Sequence, residues 1–422
     1  MKEPRETGVV DQARPLGVYV HFPFCRSRCP YCDFAVAVPR DIPHEAYADA
    51  VLAELAARAP DYLGKNGPRL ASVYFGGGTP GLWRPAALGR VLEGVRQRFR
   101  GGPDLEVTVE ANPGDLPLAT LLDLRRRGAN RLSFGAQAFQ DRLLRRLGRR
   151  HGSAAIAASL AAARRAGFAN LCADLMFGLP GQSMPDWRAS LAALSDLRPE
   201  HITAYALTVE AGTRFGALER AGRLRRPGDG EVADMYATCH ETLIAAGYEH
   251  YEISSYSLPG RRSTHNSLYW TMGTYLGLGV SAASFLPLAA GGGFRRANPR
   301  SLATYLRQVA VGADDPAPEL AEYRSTTQLE EEALWLGLRT ADGVDRAAHA
   351  ESYGHDPLAL PGREAAARVC ADAGWLDITP TRLRLRPAGF LFADEVTVRL
   401  WRGAGTDAPQ RAQRTERSQR TK

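Results

Sequence analysis

Short runs of β-branched and aromatic residues recur along the first half of the chain, and most give way to a segment whose apolar positions repeat every three to four residues. The runs read as strands and the longer segments as amphipathic helices. Strands are expected at 18–21, 72–75, 106–110, 131–135, 171–176 and 201–207, with helices at 46–59, 85–99, 116–127, 154–166 and 184–197 between them. Pro80, Pro113, Pro180 and Gly181 fall at the joints, where they punctuate the pattern without breaking it. Six such units make an open barrel or a doubly wound sheet, and both architectures put ligand chemistry at the carboxyl ends of their strands.

Beyond about residue 210 the pattern loosens into a helix at 230–246 and an irregular stretch, 248–285, rich in aromatics and glycine. A second unit begins near 320. Helices at 326–338 and 363–373 precede Trp375-Leu-Asp-Ile, a turn at Thr379-Pro380-Thr381 and the alternating Leu383-Arg-Leu-Arg, an order that suggests a small winged-helix-like domain. The expected organisation is an N-terminal segment 1–15, a first domain with its linker at 16–300, a C-terminal domain at 301–400 and a disordered basic tail at 401–422.

Composition narrows the class. At 422 residues and 45% hydrophobic content the chain can bury two cores. No stretch approaches the roughly 20 apolar residues of a membrane span, and residues 1–15 are too polar for a signal peptide, so the expected compartment is the cytoplasm. The net charge of +7 invites a nucleic-acid reading, yet all but three of the 53 basic residues are arginine, a skew that looks like genomic base composition. Six basic and two acidic groups lie in the tail. Residues 321–400 carry nine basic and thirteen acidic groups, which argues against a nucleic-acid partner for the C-terminal unit.

The densest chemistry is the run His21-Phe-Pro-Phe-Cys25-Arg-Ser-Arg-Cys29-Pro-Tyr31-Cys32-Asp-Phe34. Thiolates bind soft metals, and C-x3-C-x2-C in one loop can hold three corners of a [4Fe-4S] cluster while leaving the fourth iron open. An open iron is the starting requirement of radical S-adenosylmethionine (SAM) chemistry. A structural zinc site would need a second knuckle of Cys or His, and none follows; disulfides do not suit a chain without a secretory segment.

Other unusual residues fall at successive strand ends. Gly76-Gly77-Gly78-Thr79 follows the second strand and can let a ligand approach the backbone, although a tight turn alone explains a glycine triplet. Glu110 ends the third strand and Asp174 lies near the end of the fifth; each can accept hydrogen bonds from an ammonium or a ribose, or simply cap the next helix. Cys172, Cys239 and Cys370 are scattered singly and read as core packing.

Taken together, Tyr19-Val-His-Phe-Pro-Phe-Cys25 through Cys32-Asp-Phe34, Gly76-Gly-Gly-Thr-Pro80, Glu110-Ala-Asn-Pro-Gly114, Arg131-Leu-Ser-Phe-Gly-Ala-Gln137 and Asp174-Leu-Met-Phe-Gly-Leu-Pro180 resemble the coproporphyrinogen-dehydrogenase-like branch of radical SAM proteins, over roughly residues 16 to 400. The resemblance implies an α/β fold, a partial (β/α)6 TIM-like barrel with the C-terminal domain appended. It implies that Cys25, Cys29 and Cys32 ligate a [4Fe-4S] cluster. Around SAM it implies Tyr19, Tyr31, Gly77, Gly78, Thr79, Glu110, Gln137, Arg149 and Asp174. The run His265-Asn-Ser-Leu-Tyr269-Trp270 matches a motif that heme-chaperone members of the branch place near heme, which makes His265 a candidate heme ligand; the alternative is a packing seam with a satisfied histidine.

One departure separates the sister functions. Dehydrogenases of the branch carry a further cysteine two residues after the third, where this chain has Phe34. The resemblance therefore implies a heme chaperone with heme as cargo, a heme-acceptor protein as partner (membrane-associated acceptors included), no catalytic residue and no nucleic acid. A radical SAM oxidoreductase or methyltransferase acting on a tetrapyrrole is the alternative.

Overall fold

A computed structural model describes residues 14–63, 67–312 and 321–403. Most of the expected N-terminal segment and of the basic tail, 1–13 and 404–422, lies outside the described residues. All six expected strands are present: β1 (Leu16–Phe22), β2 (Leu70–Gly77), β3 (Gly101–Ala111), β4 (Arg131–Gln137), β5 (Leu171–Phe177) and β6 (His201–Ala206). They pair in chain order and all run parallel. Strands in such a sheet are covered on both faces, which is why β1, β4 and β5 are buried almost end to end.

The helix Met184–Leu197 shows how sequence sets each return segment. Ser183 caps it, its hydroxyl accepting from Asp186 N–H while its own N–H donates to the Asp186 carboxylate at 2.8 Å. Arg198, in the left-handed region at φ 46°, ends it. Trp187, Leu191 and Leu194 form the buried face, each stabilising the fold by about 1.5–3 kcal/mol through the area it removes from water. Trp187 also donates its indole N–H to Met235 O at 2.8 Å, which locks this helix to the next layer.

The stretch 248–285 is not irregular. It supplies β7 (Glu249–Glu252), β8 (Ser255–Ser257), the helix Thr264–Trp270, β9 (Thr274–Leu278) and the start of β10 (Ala283–Pro287). These strands are too short for a period to be read, and glycine interrupts β9: a Cβ on Gly277 would meet Ala283 O at 2.1 Å. β9 pairs parallel with β1, and β10, β11 (Gly293–Ala297) and β12 (Glu322–Arg324) follow antiparallel. On the other side β8 and β7 extend the sheet beyond β6. Twelve strands result, in the order β12-β11-β10-β9-β1-β2-β3-β4-β5-β6-β8-β7.

A buried polar knot fastens the added strands to the first helix, His44–Arg58. Glu54 accepts from Arg58 at 3.1 Å, Gly279 N–H at 2.8 Å, Asn298 at 2.7 Å and Tyr305 at 2.8 Å. Arg58 also donates to Gly277 O and Ser284.

The C-terminal unit has its own three-stranded antiparallel sheet, β13 (Val344–Asp345), β15 (Arg382–Leu385) and β14 (Leu376–Ile378) in that order. The expected helices Thr326–Leu338 and Arg363–Asp372 pack on it with two more, Arg346–Tyr353 and Ala393–Gly403. The first of these has too few apolar residues to show a period, and the second runs past the expected start of the tail. The large sheet also takes in β12, so residues up to Arg324 belong to its layer. No helix among the described residues is long and apolar enough to cross a membrane.

Candidate active site at the carboxyl ends of the parallel strands

A cavity of about 730 Å³ opens at the carboxyl ends of β1 to β6. Its first wall is the loop after β1, pinned at both ends by backbone bonds: Cys25 N–H donates to Ala37 O at 2.9 Å, and Phe215 N–H to Pro30 O at 2.9 Å. Cys25, Cys29 and Cys32 line the cavity, each partly exposed. Burial pushes the Cys25 thiol up to about 11, against a hydroxyl bond from Thr79 to its sulfur at 3.5 Å, and burial raises Cys32 as well. Three partly buried thiols with no fourth cysteine in the wall are a donor set for a soft metal centre with one position left open.

The second wall is the glycine turn after β2. Gly77 has φ +108°, and a Cβ there would strike the His21 ring at 2.6 Å; one on Gly78 would meet Pro23 C at 2.8 Å. Only bare backbone fits. Gly77 N–H donates to Glu110 Oε2 at 3.1 Å, and Tyr74 donates to Oε1 at 2.7 Å. Burial pushes the Glu110 carboxyl up to about 7, with Asp174 adding to the shift and the two donors opposing it. Burial likewise raises Asp174, whose oxygens receive Ser133 and the Cys172 thiol. Neither carboxylate caps a helix: the helices that follow begin after Pro117 and Ser183.

The third wall comes from β4 and the turn beyond it. Gln137 ends β4 in the left-handed region at φ 65°, and its side-chain oxygen accepts from Tyr205 at 3.1 Å. A non-glycine residue held there costs energy that the surrounding packing supplies. Arg149 is not on a solvated face. Its guanidinium donates to Asn112 Oδ1 at 2.5 Å and Gly135 O at 2.8 Å, and approaches Cys29 Sγ at 3.8 Å.

Eleven of the thirteen residues singled out in the sequence therefore meet in one cavity: the three cysteines with Tyr31, Gly77, Gly78, Thr79, Glu110, Gln137, Arg149 and Asp174. Tyr19 is not in its wall. It pairs in register with Tyr74, stacks on that ring at 6.1 Å and bonds His21 Nδ1 at 3.1 Å, so Tyr74 holds the position beside Glu110. His265, expected as a candidate heme ligand or as a satisfied histidine in a packing seam, lies outside that wall. The ring is 1% exposed, with Nδ1 on Ser72 at 2.8 Å and Nε2 on the Tyr269 hydroxyl at 2.9 Å. Both ring nitrogens have partners in this structure. Sequence reasoning missed Tyr74 and Ser133, which sit mid-strand, and Asn112, although that residue lies inside the run that ends at Gly114.

A parallel α/β barrel whose strand-end loop carries three cysteines defines a radical SAM protein. Residues 19–194 match the model of the Radical SAM superfamily, and residues 325–392 that of the HemN C-terminal domain. The solved structure of the radical SAM enzyme coproporphyrinogen III oxidase (HemN) from Escherichia coli shares the fold, at a TM-score of 0.75 and 23% identity over 92% of this chain and 90% of that one. Among curated relatives, the heme chaperone HemW of Synechocystis is 37% identical over 78% of this chain and 79% of that protein. The one of Bacillus subtilis is 36% identical over 80% and 86%, and the one of Mycobacterium tuberculosis 34% over 91% and 94%. The chain belongs to the HemW family, and with it to the radical SAM proteins, for which a [4Fe-4S] cluster and SAM are implied.

Proposed function

We propose that this chain is a heme chaperone: it binds heme and passes it to an acceptor protein, and it carries a [4Fe-4S] cluster on Cys25, Cys29 and Cys32 with SAM at the remaining iron. The observation that carries the reading is Phe34. It lies at the cavity wall, 52% exposed, where the dehydrogenases of the resembling branch have another cysteine. An apolar ring at that point supplies neither a thiol nor a proton, and the identity with relatives named as heme chaperones supports the same reading.

The chain's own residues suit those groups. Thr79 and Arg149 direct donors at two of the three sulfurs, which stabilises thiolate charge. Glu110, fixed by Tyr74 and Gly77, can accept from an ammonium or a ribose, and Gly77 and Gly78 leave room for the methionyl part. Gln137, Tyr31 and Asp174 complete the wall. Bound together, cluster and SAM supply one-electron chemistry at the sulfonium; a carrier can use the same pair for assembly or control.

The test is heme titration of anaerobically prepared, cluster-loaded chain, followed by apomyoglobin as heme trap. A shifted Soret band that transfers to the trap is expected. Absence of any Soret change, or turnover of coproporphyrinogen III with SAM cleavage, would overturn the reading.

A further inference from the structure

The cysteine loop stands between two spaces. Besides the cavity at the strand ends, Cys29 and Cys32 line a groove of about 940 Å³. Its other walls are the end of the helix Asp141–Arg146 with the turn after it, the turn at Pro180 and Gly181, and the helix Arg214–Arg220 with the chain that follows. These walls are fixed to one another. Phe215 N–H donates to Pro30 O at 2.9 Å, and Arg146 donates to Pro180 O at 2.7 Å.

Charge sets this groove apart. Arg28, Arg145, Arg146, Arg214, Arg223 and Arg225 line it, all exposed, and no carboxylate does. The chain as a whole has 53 basic and 46 acidic residues, so an arginine-rich composition alone would bring acids to these walls as well. Nor are the arginines consumed by pairing. None of the six makes an ion pair among the described residues, whereas Arg142 and Arg226, which do not line the groove, pair with Asp186 and Glu219. Like charges held together repel one another, and an anionic partner relieves that repulsion.

We propose that this groove is the docking surface for a small acidic protein that delivers one electron at low potential to the cluster. The inference rests on the assignment of a [4Fe-4S] cluster to Cys25, Cys29 and Cys32, and adds the face from which that cluster is served. One electron leaves the partner's reduced cofactor and the cluster gains it; no covalent bond forms or breaks.

The lining favours this partner over other anions. Because Cys29 and Cys32 border both spaces, a protein docked in the groove reaches two cluster ligands without entering the cavity assigned to SAM. Electron delivery and ligand binding then do not compete. A nucleic-acid strand needs aromatic faces for its bases, and the groove's one aromatic, Phe215, is 3% exposed. A lipid surface needs an apolar stripe, and none of the large exposed apolar side chains lines the groove. Electron-transfer complexes are small and transient, and complementary charge steers their encounter, which a fixed ring of arginines supplies.

The deciding measurement pairs calorimetric binding of flavodoxin, an acidic low-potential flavoprotein, with stopped-flow reduction of the cluster-loaded chain, the reduced cluster being counted by electron paramagnetic resonance. Binding is read in the cluster-free chain as well, where no reduction can occur. The parent is expected to bind, and to bind more weakly as salt rises. Arg214→Glu combined with Arg225→Glu should weaken binding and slow reduction by about tenfold or more. Reduced methyl viologen, a small cation, should reduce that variant at least as fast as the parent. Arg214→Lys combined with Arg225→Lys keeps the charge and should keep both properties. Arg165→Glu combined with Arg188→Glu changes the net charge equally at exposed positions that do not line the groove, and should alter either property by no more than about twofold. Unchanged affinity and rate in the Arg214 and Arg225 charge reversal overturns the proposal and leaves the cluster assignment standing. So does an equal loss in the Arg165 and Arg188 control, or failure of the parent to bind flavodoxin, with or without single-stranded RNA binding in its place. A parent chain that retains no iron and sulfide overturns both.

Discussion

The phenol of Tyr74 donates to Glu110 Oε1 at 2.7 Å while Gly77 N–H reaches Oε2 at 3.1 Å, so both oxygens of a strand-end carboxyl are oriented by the fold itself. Preorganisation of this kind lowers the ordering cost of a ligand that bonds the same group. It also leaves a trace in the protein's own titration.

Glu110 is raised from 4.5 to about 7 by burial. Between these values the unfolded chain has released a proton that the folded chain keeps, so this group makes stability fall as pH rises through the window and level off above it. The loss is at most about 3 kcal/mol, less because the side chain is partly open to the cavity. Glu110→Gln should remove that part of the slope in urea unfolding of the cluster-free chain and should weaken SAM binding. A variant whose slope from pH 4.5 to 7 matches the parent's contradicts the assignment.

Replacing Cys25, Cys29 or Cys32 by Ala should abolish retention of iron and acid-labile sulfide under anaerobic preparation. The melting temperature of the cluster-free chain should move little, because all three side chains are partly exposed. Zinc retained without sulfide in the parent chain is the result that contradicts the cluster.

Glu54→Gln should destabilise the chain by roughly 3–5 kcal/mol, since it removes a buried charge that Arg58, Gly279 N–H, Asn298 and Tyr305 all bond. Chemical denaturation checks this, and a change below about 1 kcal/mol would show that the knot does not fasten β9 and β10.

Gly77→Ala should impair SAM binding more than it impairs folding of the remaining sheet. At φ +108° the new methyl meets the His21 ring at 2.6 Å, and relief requires the turn to shift away from Glu110. Calorimetric SAM titration checks the first part and circular dichroism the second; unaltered SAM affinity would mean the turn is not the cradle.

Most of this site was legible in the sequence because strand ends in a parallel βα pattern all face one mouth. Knowing where β2 and β3 end was enough to bring the glycine turn and Glu110 together, whereas Asp174 stands midway along β5 and reaches the cavity from there. What pattern could not supply was direction within a strand: Tyr19 and Tyr74 sit side by side in register, and only the fold shows that Tyr74 reaches Glu110. For His265 a motif gives the residue type but not the partners of the imidazole's nitrogens, which only the fold shows. The strands of 248–285 were lost to length alone.

The flanking of the parallel strands by later chain has a consequence during synthesis. When Ala206 has been made, β1 and β6 are both bare edges, and their partners, Ser255–Ser257 and Thr274–Leu278, are still to come. At roughly 5–20 residues per second those edges stay unpaired for on the order of several seconds. Unpaired edges are templates for intermolecular pairing. A chain truncated near residue 210 should therefore aggregate, by light scattering, where one extended past β10 stays dispersed; the strands that arrive late in synthesis are then what shields the first half from pairing with other chains.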